Sequence, residues 1–344
     1  MPTVIKSKTR RLRSGRTANF VLLAISILVT IAVAEVGMRR LYAGRPFAPG
    51  WVGEFKNRSG KNFLADDLTG WRMRPNHEFT WITAEGKPHV YRSNSQGYRG
   101  AADFTASDPR KKIVLAGDSY TFGAGVDVED TFGAVLQQKS PDRVVYNLGM
   151  PGFGVDQVWM SVRHRATPLR PDLVVVGVVD ADFDRSQIPY RAAEGFNKPT
   201  FKLEGGQLVQ RTQEQPPGLP LRFLNDHSSI WAVARRVPKW LGRNYPVGEY
   251  FLLNQAILAA IESDCRQQST PVLFVYIPTS EFRPFPALSA YMRRAGANYI
   301  DLTEIRPAPP HSIYLPLDGH LSQEGHRYVA GLIEAWIHDH MAWR

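Results

Sequence analysis

The chain has 344 residues, of which 43% are hydrophobic and 22% charged, a composition that excludes a wholly disordered chain, a collagen-like chain and a polytopic membrane protein. A single cysteine, Cys265, excludes an intrachain disulfide framework and any multi-cysteine zinc site. The formal charge of +10 is concentrated at Lys6, Lys8, Arg10, Arg11, Arg13 and Arg16, with no acid among residues 1–18. The excess is therefore a basic tail, and with no basic, aromatic-interleaved helix elsewhere, nucleic acid is not an expected partner.

After that tail comes FVLLAISILVTIAVA, Phe20 to Ala34, an uncharged run whose only polar side chains are Ser26 and Thr30. Extended to Met38 it suffices for a thin bilayer, with Glu35 near its end. Positive charge before the run and little after it predicts a cytoplasmic tail and an exported carboxy-terminal bulk. Two readings stay open. One is an uncleaved anchor through residues 20–38 in the cytoplasmic (inner) membrane, with the rest on the periplasmic side. The other is a signal peptide cleaved after Ala32-Val33-Ala34, which would release a secreted protein. The length of the run, at the upper end for a signal peptide, favours the anchor. Arg10-Arg11 weakly resembles a twin-arginine signal.

The rest divides in two: 39–109, a linker and small β-rich segment, and 110–344, an α/β domain. Residues 39–57 carry Arg39, Arg40, Arg45, Pro46, Pro49 and Gly50 and read as irregular linker. Residues 62–100 alternate aromatic and polar residues, predicting a few short strands and turns. From Lys111, five short apolar runs follow: KIVLAG, RVVYNLG, DLVVVGVV, PVLFVYIP and NYIDL. Amphipathic stretches around 129–139, 155–167, 247–266 and 284–295 lie between them, and a last one runs from Gln323 to about His340. Strands alternating with helices predict a parallel sheet in a layered α/β fold. An insertion, about 185–246, contains a hairpin around Gly205-Gly206 and a helix in HSSIWAVARRVPKWL. Trp231, Trp240 and Trp336 read as packing residues.

In open parallel sheets, ligands bind at the carboxyl ends of strands. Gly117-Asp118-Ser119 follows the first run. Asn147-Leu148-Gly149-Met150-Pro151-Gly152 follows the second, Asp180-Ala181-Asp182 the third, and Asp318-Gly319-His320 precedes the last helix. A serine on a sharp strand-to-helix turn can present its hydroxyl above the sheet, with its own amide serving as part of an oxyanion hole. The alternative is a helix N-cap at Ser119 with Asp118 as a turn residue. The glycines do not form a phosphate loop, because neither Gly-Lys-Ser/Thr nor Gly-x-Gly-x-x-Gly occurs. In an extended segment Asp318 and His320 project the same way, so the acid can fix the histidine tautomer and free the other nitrogen to take a serine proton. His311 and His326 are nearby competitors. Asp180, Asp182 and Asp184 alternate like metal ligands but lack a calcium-type loop, and read as a loop lining the site mouth.

The chain order Ser, Asp, His matches α/β-hydrolases, but their Gly-x-Ser-x-Gly elbow is missing. The four segments together resemble the SGNH, or GDSL-type, esterase superfamily, over about 110–340. Asn94 to Gly100, NSQGYRG, resembles the segment before the first strand in membrane-anchored members. The resemblance implies a flavodoxin-like three-layer α/β/α sandwich and ester or acyl-transfer chemistry without metal or cofactor. It implies Ser119 as nucleophile, Asp318 and His320 as its partners, and the Ser119 and Gly152 amides as the oxyanion hole. It also implies an acylated glycan or lipid as substrate. Asp118, Asn147, Asp180 and Asp182 fall in the surrounding loops. Two positions depart from the pattern. Ala181 stands where an oxyanion-donating Asn is expected, which leaves Asn147 or Gln157 as substitutes. Asp318 stands two residues before the histidine rather than three, as in polysaccharide O-acetyltransferase relatives.

Overall fold

The structure is a computed structural model that describes residues 11–41, 61–191, 196–211, 228, 230, 249–279, 284–305 and 313–343. Helix α1 (Arg11–Leu41) contains the apolar run. Its 24 residues Ala18–Leu41 are long and apolar enough to cross a membrane. Phe20, Leu22, Leu28, Ile31 and Val33 point outward on every side of it, as expected of a helix whose apolar surface is not covered by protein. Near its end, the Glu35 carboxylate accepts from Ser228 Oγ at 3.0 Å and the Ile230 amide at 3.1 Å.

The β-rich segment consists of two antiparallel hairpins. One pairs β1 (Phe63–Asp66) with β2 (Gly70–Met73), and the other pairs β3 (Glu78–Ile82) with β4 (Pro88–Arg92). Their buried aromatics Phe63, Trp71, Trp81 and Tyr91 belong to the main core rather than to a separate one. The boundary drawn at residue 110 is thus a change of secondary structure, with one continuous core across it.

The central sheet has strands β5 (Lys111–Ala116), β6 (Arg143–Asn147), β7 (Leu173–Val178), β12 (Val272–Tyr276) and β13 (Asn298–Asp301), all parallel. Their spatial order is β13-β12-β7-β5-β6. The chain therefore moves from β5 to one edge and returns past β5 to β7, placing the topological switch point at the carboxyl end of β5. The helices between them are short α2 (Ser119–Phe122), then α3 (Phe132–Gln138), α4 (Val155–Ser161), α5 (Asp180–Arg185), α6 (Glu249–Arg266), α7 (Pro286–Ala295) and α8 (Gln323–His340).

Strand periodicity sorts the core onto the two sheet faces. Ile113, Leu115, Leu173, Val175, Leu273 and Val275 pack with Phe132 and Leu136 of α3 and Val329, Ile333 and Ile337 of α8. Val114, Val174, Val176 and Phe274 pack with α4, α6 and α7 on the other face. This is the expected three-layer α/β/α sandwich of flavodoxin-like strand order. Strand β7 is buried at every position, as a central parallel strand must be.

Within the insertion, β8 (Tyr190–Arg191) pairs with β9 (Phe196–Asn197), and β10 (Phe201–Glu204) pairs with β11 (Gln207–Gln210). The predicted hairpin is β10–β11, and Gly205 and Gly206 turn it with φ of +57° and +80°, the doubly positive geometry of a two-residue hairpin loop. Lys198, fully buried, pairs with fully buried Asp156 at the start of α4 and ties the insertion to the domain. The helix expected in HSSIWAVARRVPKWL, with Trp231 and Trp240, lies outside the described residues apart from Ser228 and Ile230. Trp336 packs against the α8 core and stacks on His340.

Candidate active site

The nucleophile candidate sits where the sheet topology places a ligand. β5 ends at Ala116, and Gly117 and Asp118 turn the chain into α2. Asp118 is the helix N-cap, its Oδ1 accepting from the Tyr120 amide at 2.9 Å. Ser119 is therefore the first helical residue, and its hydroxyl is not needed to cap the helix. The turn requires glycine at 117: a Cβ there would lie 2.1 Å from Thr121 Oγ1 and 2.7 Å from the Gly177 carbonyl. The helix stops after one turn at Gly123, which is left-handed at φ +86°.

Ser119 Oγ lies 2.8 Å from His320 Nε2. The other ring nitrogen, Nδ1, is hydrogen-bonded to Asp318 Oδ1. With Asp318 ionised, Nδ1 carries the proton and Nε2 is left to accept from the serine. The two side chains meet across a turn, not along the extended segment expected: residues 316–318 form the turn and Gly319 has φ +81°. The loop is closed by the Leu315 amide donating to the His320 carbonyl at 2.7 Å and the Gly319 amide to Leu315 at 2.9 Å. Tyr120 Oη donates to the Gly319 carbonyl at 2.9 Å, tying the serine helix to the histidine loop. Glu85, on the β3–β4 turn, accepts from the Leu317 amide at 2.8 Å.

The second loop lies beside the serine turn, with the Met150 amide donating to the Gly117 carbonyl at 3.1 Å. Gly152 has φ +80°, and its amide donates to no backbone or side-chain acceptor among the described residues. The two proposed substitutes for the missing donor are occupied. Asn147 Nδ2 donates to the Thr121 carbonyl at 2.8 Å, and its Oδ1 accepts from the Gly149 amide at 2.8 Å. Gln157 bridges the Gly154 amide at 3.0 Å and the Thr69 carbonyl at 2.6 Å. Both are used to fix backbone.

The Asp180–Asp184 stretch corrects the loop expectation. It is helical, α5, and Asp182 is fully buried beneath the site rather than lining its mouth. Arg185 Nη1 gathers Asp182 at 2.6 Å, Asp118 at 2.9 Å and the Phe153 carbonyl at 3.1 Å, joining the first, second and third loops. Burial, then the charge of Asp118, pushes the Asp182 carboxyl well above the usual carboxylate range, against the pull of Arg185. Asp180 is partly exposed at the first position of α5. Among the described residues, no group of three or more His, Cys, Asp and Glu side chains is placed to hold a metal ion.

The electrostatics separate the histidines. Burial pulls His320 down, but the charge and hydrogen bond of Asp318, with Asp118 behind them, outweigh it and hold His320 above the ordinary 6.5. His326 is buried inside α8, where Nδ1 accepts from the Phe132 amide at 3.2 Å. Burial, with help from Arg99 and His320, takes its pKa down to about 3. It is a neutral packing residue. His311 lies outside the described residues.

Four side chains that organise the site carried no sequence signal: Tyr120, Arg185, Glu85 and Trp71. Trp71, wholly buried on β2, donates from Nε1 to the Pro151 carbonyl at 3.0 Å.

No family model matches the chain, and no curated protein sequence does. Several solved structures are similar. One, assigned to the lipolytic G-D-S-L family from Desulfitobacterium hafniense DCB-2, shares 14% identity over 66% of this chain and 99% of its own, with a TM-score of 0.40. An acetyl xylan esterase shares 16% identity over 66% and 99%, at a TM-score of 0.39. A lipase/acylhydrolase from Enterococcus faecalis shares 16% over 66% and 95%, at a TM-score of 0.39.

Proposed function

We propose that this chain is a membrane-anchored serine esterase that removes acyl groups from a glycan or lipid of the cell envelope. The observation that carries the reading is the Ser119 Oγ–His320 Nε2 approach of 2.8 Å with Asp318 on the other ring nitrogen. Ser119 gives its proton to His320 Nε2 as Oγ bonds to the ester carbonyl carbon. The carbonyl electron pair moves onto oxygen, which is held by the Ser119 and Gly152 amides. The tetrahedral species expels the alkoxy group, which takes the proton from His320 and leaves as the alcohol. Water then attacks the acyl-serine, passes a proton to His320, and the acid departs as Ser119 recovers its proton. Asp318 keeps the ring in the working tautomer and stabilises the imidazolium. α1 supplies the anchor, and the basic tail before it supports a cytoplasmic start and an exported catalytic domain.

Delivery of the same acyl group to a sugar hydroxyl instead of water would make the chain an O-acetyltransferase. Ala181, with Asn147 and Gln157 both occupied, supports an oxyanion hole of two amides and a slow hydrolytic step. The test uses purified full-length protein, a fluorophosphonate probe and a small activated acetyl ester. Ser119 is expected to be labelled. Ser119→Ala and His320→Ala should each abolish turnover, and the double variant should lose little more, because residues acting as a unit are non-additive. Turnover that appears only when a glycan acceptor is added favours the transferase. An unlabelled Ser119 with no hydrolysis or transfer leaves a non-catalytic envelope scaffold as the better reading.

A further inference from the structure

The peptide unit joining Pro151 to Gly152 is held from its carbonyl side. Trp71 Nε1 reaches it at 3.0 Å from 80 residues upstream, and the indole is completely buried. A trans peptide is planar, so its N–H points opposite to its C=O. Fixing the Pro151 oxygen toward β2 therefore turns the Gly152 N–H away from β2. Gly152, at φ +80°, imposes little preference of its own, because glycine populates both signs of φ about equally. A turn closed by the Phe153 amide on the Met150 carbonyl at 3.3 Å brackets this peptide, and the Trp71 bond adds a hold on its plane from outside the loop.

The indole is itself fixed. It meets Phe153 edge-on at 5.4 Å between ring centroids and stacks with Phe196 at 6.3 Å. The turn that leads into β2 is bound to the same region a second time, through the Gln157 side chain and the Thr69 carbonyl at 2.6 Å. Two residues further along the loop, the Phe153 carbonyl is held by Arg185 at 3.1 Å. The 151–152 and 153–154 peptides are thus both pinned by their oxygens.

We propose that Trp71 is a positioning residue for ester cleavage: its indole N–H sets the plane of the 151–152 peptide and so aims the Gly152 amide at the oxyanion. The assignment rests on the esterase reading above. It gives the β1–β2 hairpin a part in the reaction, although no residue of the hairpin touches the reacting atoms.

The experiment compares full-length wild type with Trp71→Phe and with Trp71→3-benzothienylalanine, whose sulfur replaces the indole N–H in a ring of nearly the same shape. A donor displaced by about an ångström is expected to lower kcat for the acetyl ester about tenfold or more. KM should stay within about twofold, since an oxyanion contact acts in the transition state. Phosphonylation of Ser119 should slow in parallel. The benzothienyl variant keeps the packing, so it decides the matter if Trp71→Phe unfolds. A folded benzothienyl variant with wild-type kcat overturns the assignment, as does a loss carried wholly in KM. Wild-type protein that neither hydrolyses esters nor labels at Ser119 overturns the esterase reading, and this assignment with it.

Discussion

In the proposed mechanism Asp318 sets the working pH of the site through one ring nitrogen. His320 must be neutral to accept the serine proton, and its pKa is held above 6.5 by Asp318. Activity should therefore rise with pH along an acid limb whose midpoint lies above 6.5. In Asp318→Asn the negative charge is gone, so the midpoint should move down. The asparagine can also donate to Nδ1 and leave the proton on Nε2, the wrong tautomer, so kcat should fall on the order of 10³–10⁴-fold. A pH–rate profile of both proteins checks this, and near-wild-type turnover in the variant would assign the acid's role elsewhere. His326 works in the opposite direction and on stability. Its pKa is about 3 in the folded protein and near 6.5 when unfolded. The unfolded chain therefore takes up a proton first as pH falls, and the stability contributed above 6.5 is lost progressively down to about 3. Asn at this position can keep the acceptor for the Phe132 amide without titrating. His326→Asn should flatten the pH dependence of the denaturation midpoint across that window and leave ester turnover nearly unchanged.

Helices and strands decide which parts of this arrangement are readable from the chain alone. Gly117-Asp118-Ser119 and Asp318-Gly319-His320 are contiguous segments next to strongly periodic elements, so their placement at strand ends follows from local pattern. The five sheet strands were recoverable for the same reason, since β7 is apolar at every position that its burial requires. Asp180–Arg185 was misread because a helix of six residues is too short to show a helical period, and alternating aspartates look extended. Trp71, Glu85 and Arg185 were invisible as site residues because each acts across the tertiary fold. Trp71 meets Pro151 80 positions away and Glu85 meets Leu317 232 positions away, and no spacing rule connects them. The insertion is joined by a contact of the same kind. Burial pushes Asp156 up while Lys198 opposes it, so removing the cation alone strands a carboxylate in the core. Lys198→Met should destabilise the fold by ~3–5 kcal/mol, whereas Lys198→Met with Asp156→Asn should recover most of that. Urea denaturation of the single and double variants measures the difference; equal losses in both would mean that the pair contributes only packing.

For the molecule as a whole, α1 and the layered α/β domain dispose of their apolar side chains in opposite ways. Ala18–Leu41 exposes apolar side chains all round, and the sheet hides its own on both faces. If α1 stays attached, the protein should sediment with membranes and resist carbonate extraction. The α/β domain should then yield to protease only from the non-cytoplasmic side. A mature amino terminus at Glu35 would instead establish cleavage after Ala34.

Ser119 and His320 are separated by 201 positions, with four of the five strands of the central sheet laid down between them. A polypeptide emerging amino terminus first therefore exposes the alcohol long before it possesses the base. Until β13 is in place and α8 has closed over the sheet, Ser119 is a serine of ordinary low nucleophilicity. Nascent chains on the ribosome are on this account chemically inert toward esters. So is any fragment clipped before residue 313. On the proposed mechanism, reactivity arrives only once the segment that carries Asp318 and His320 has been made and docked against the serine turn.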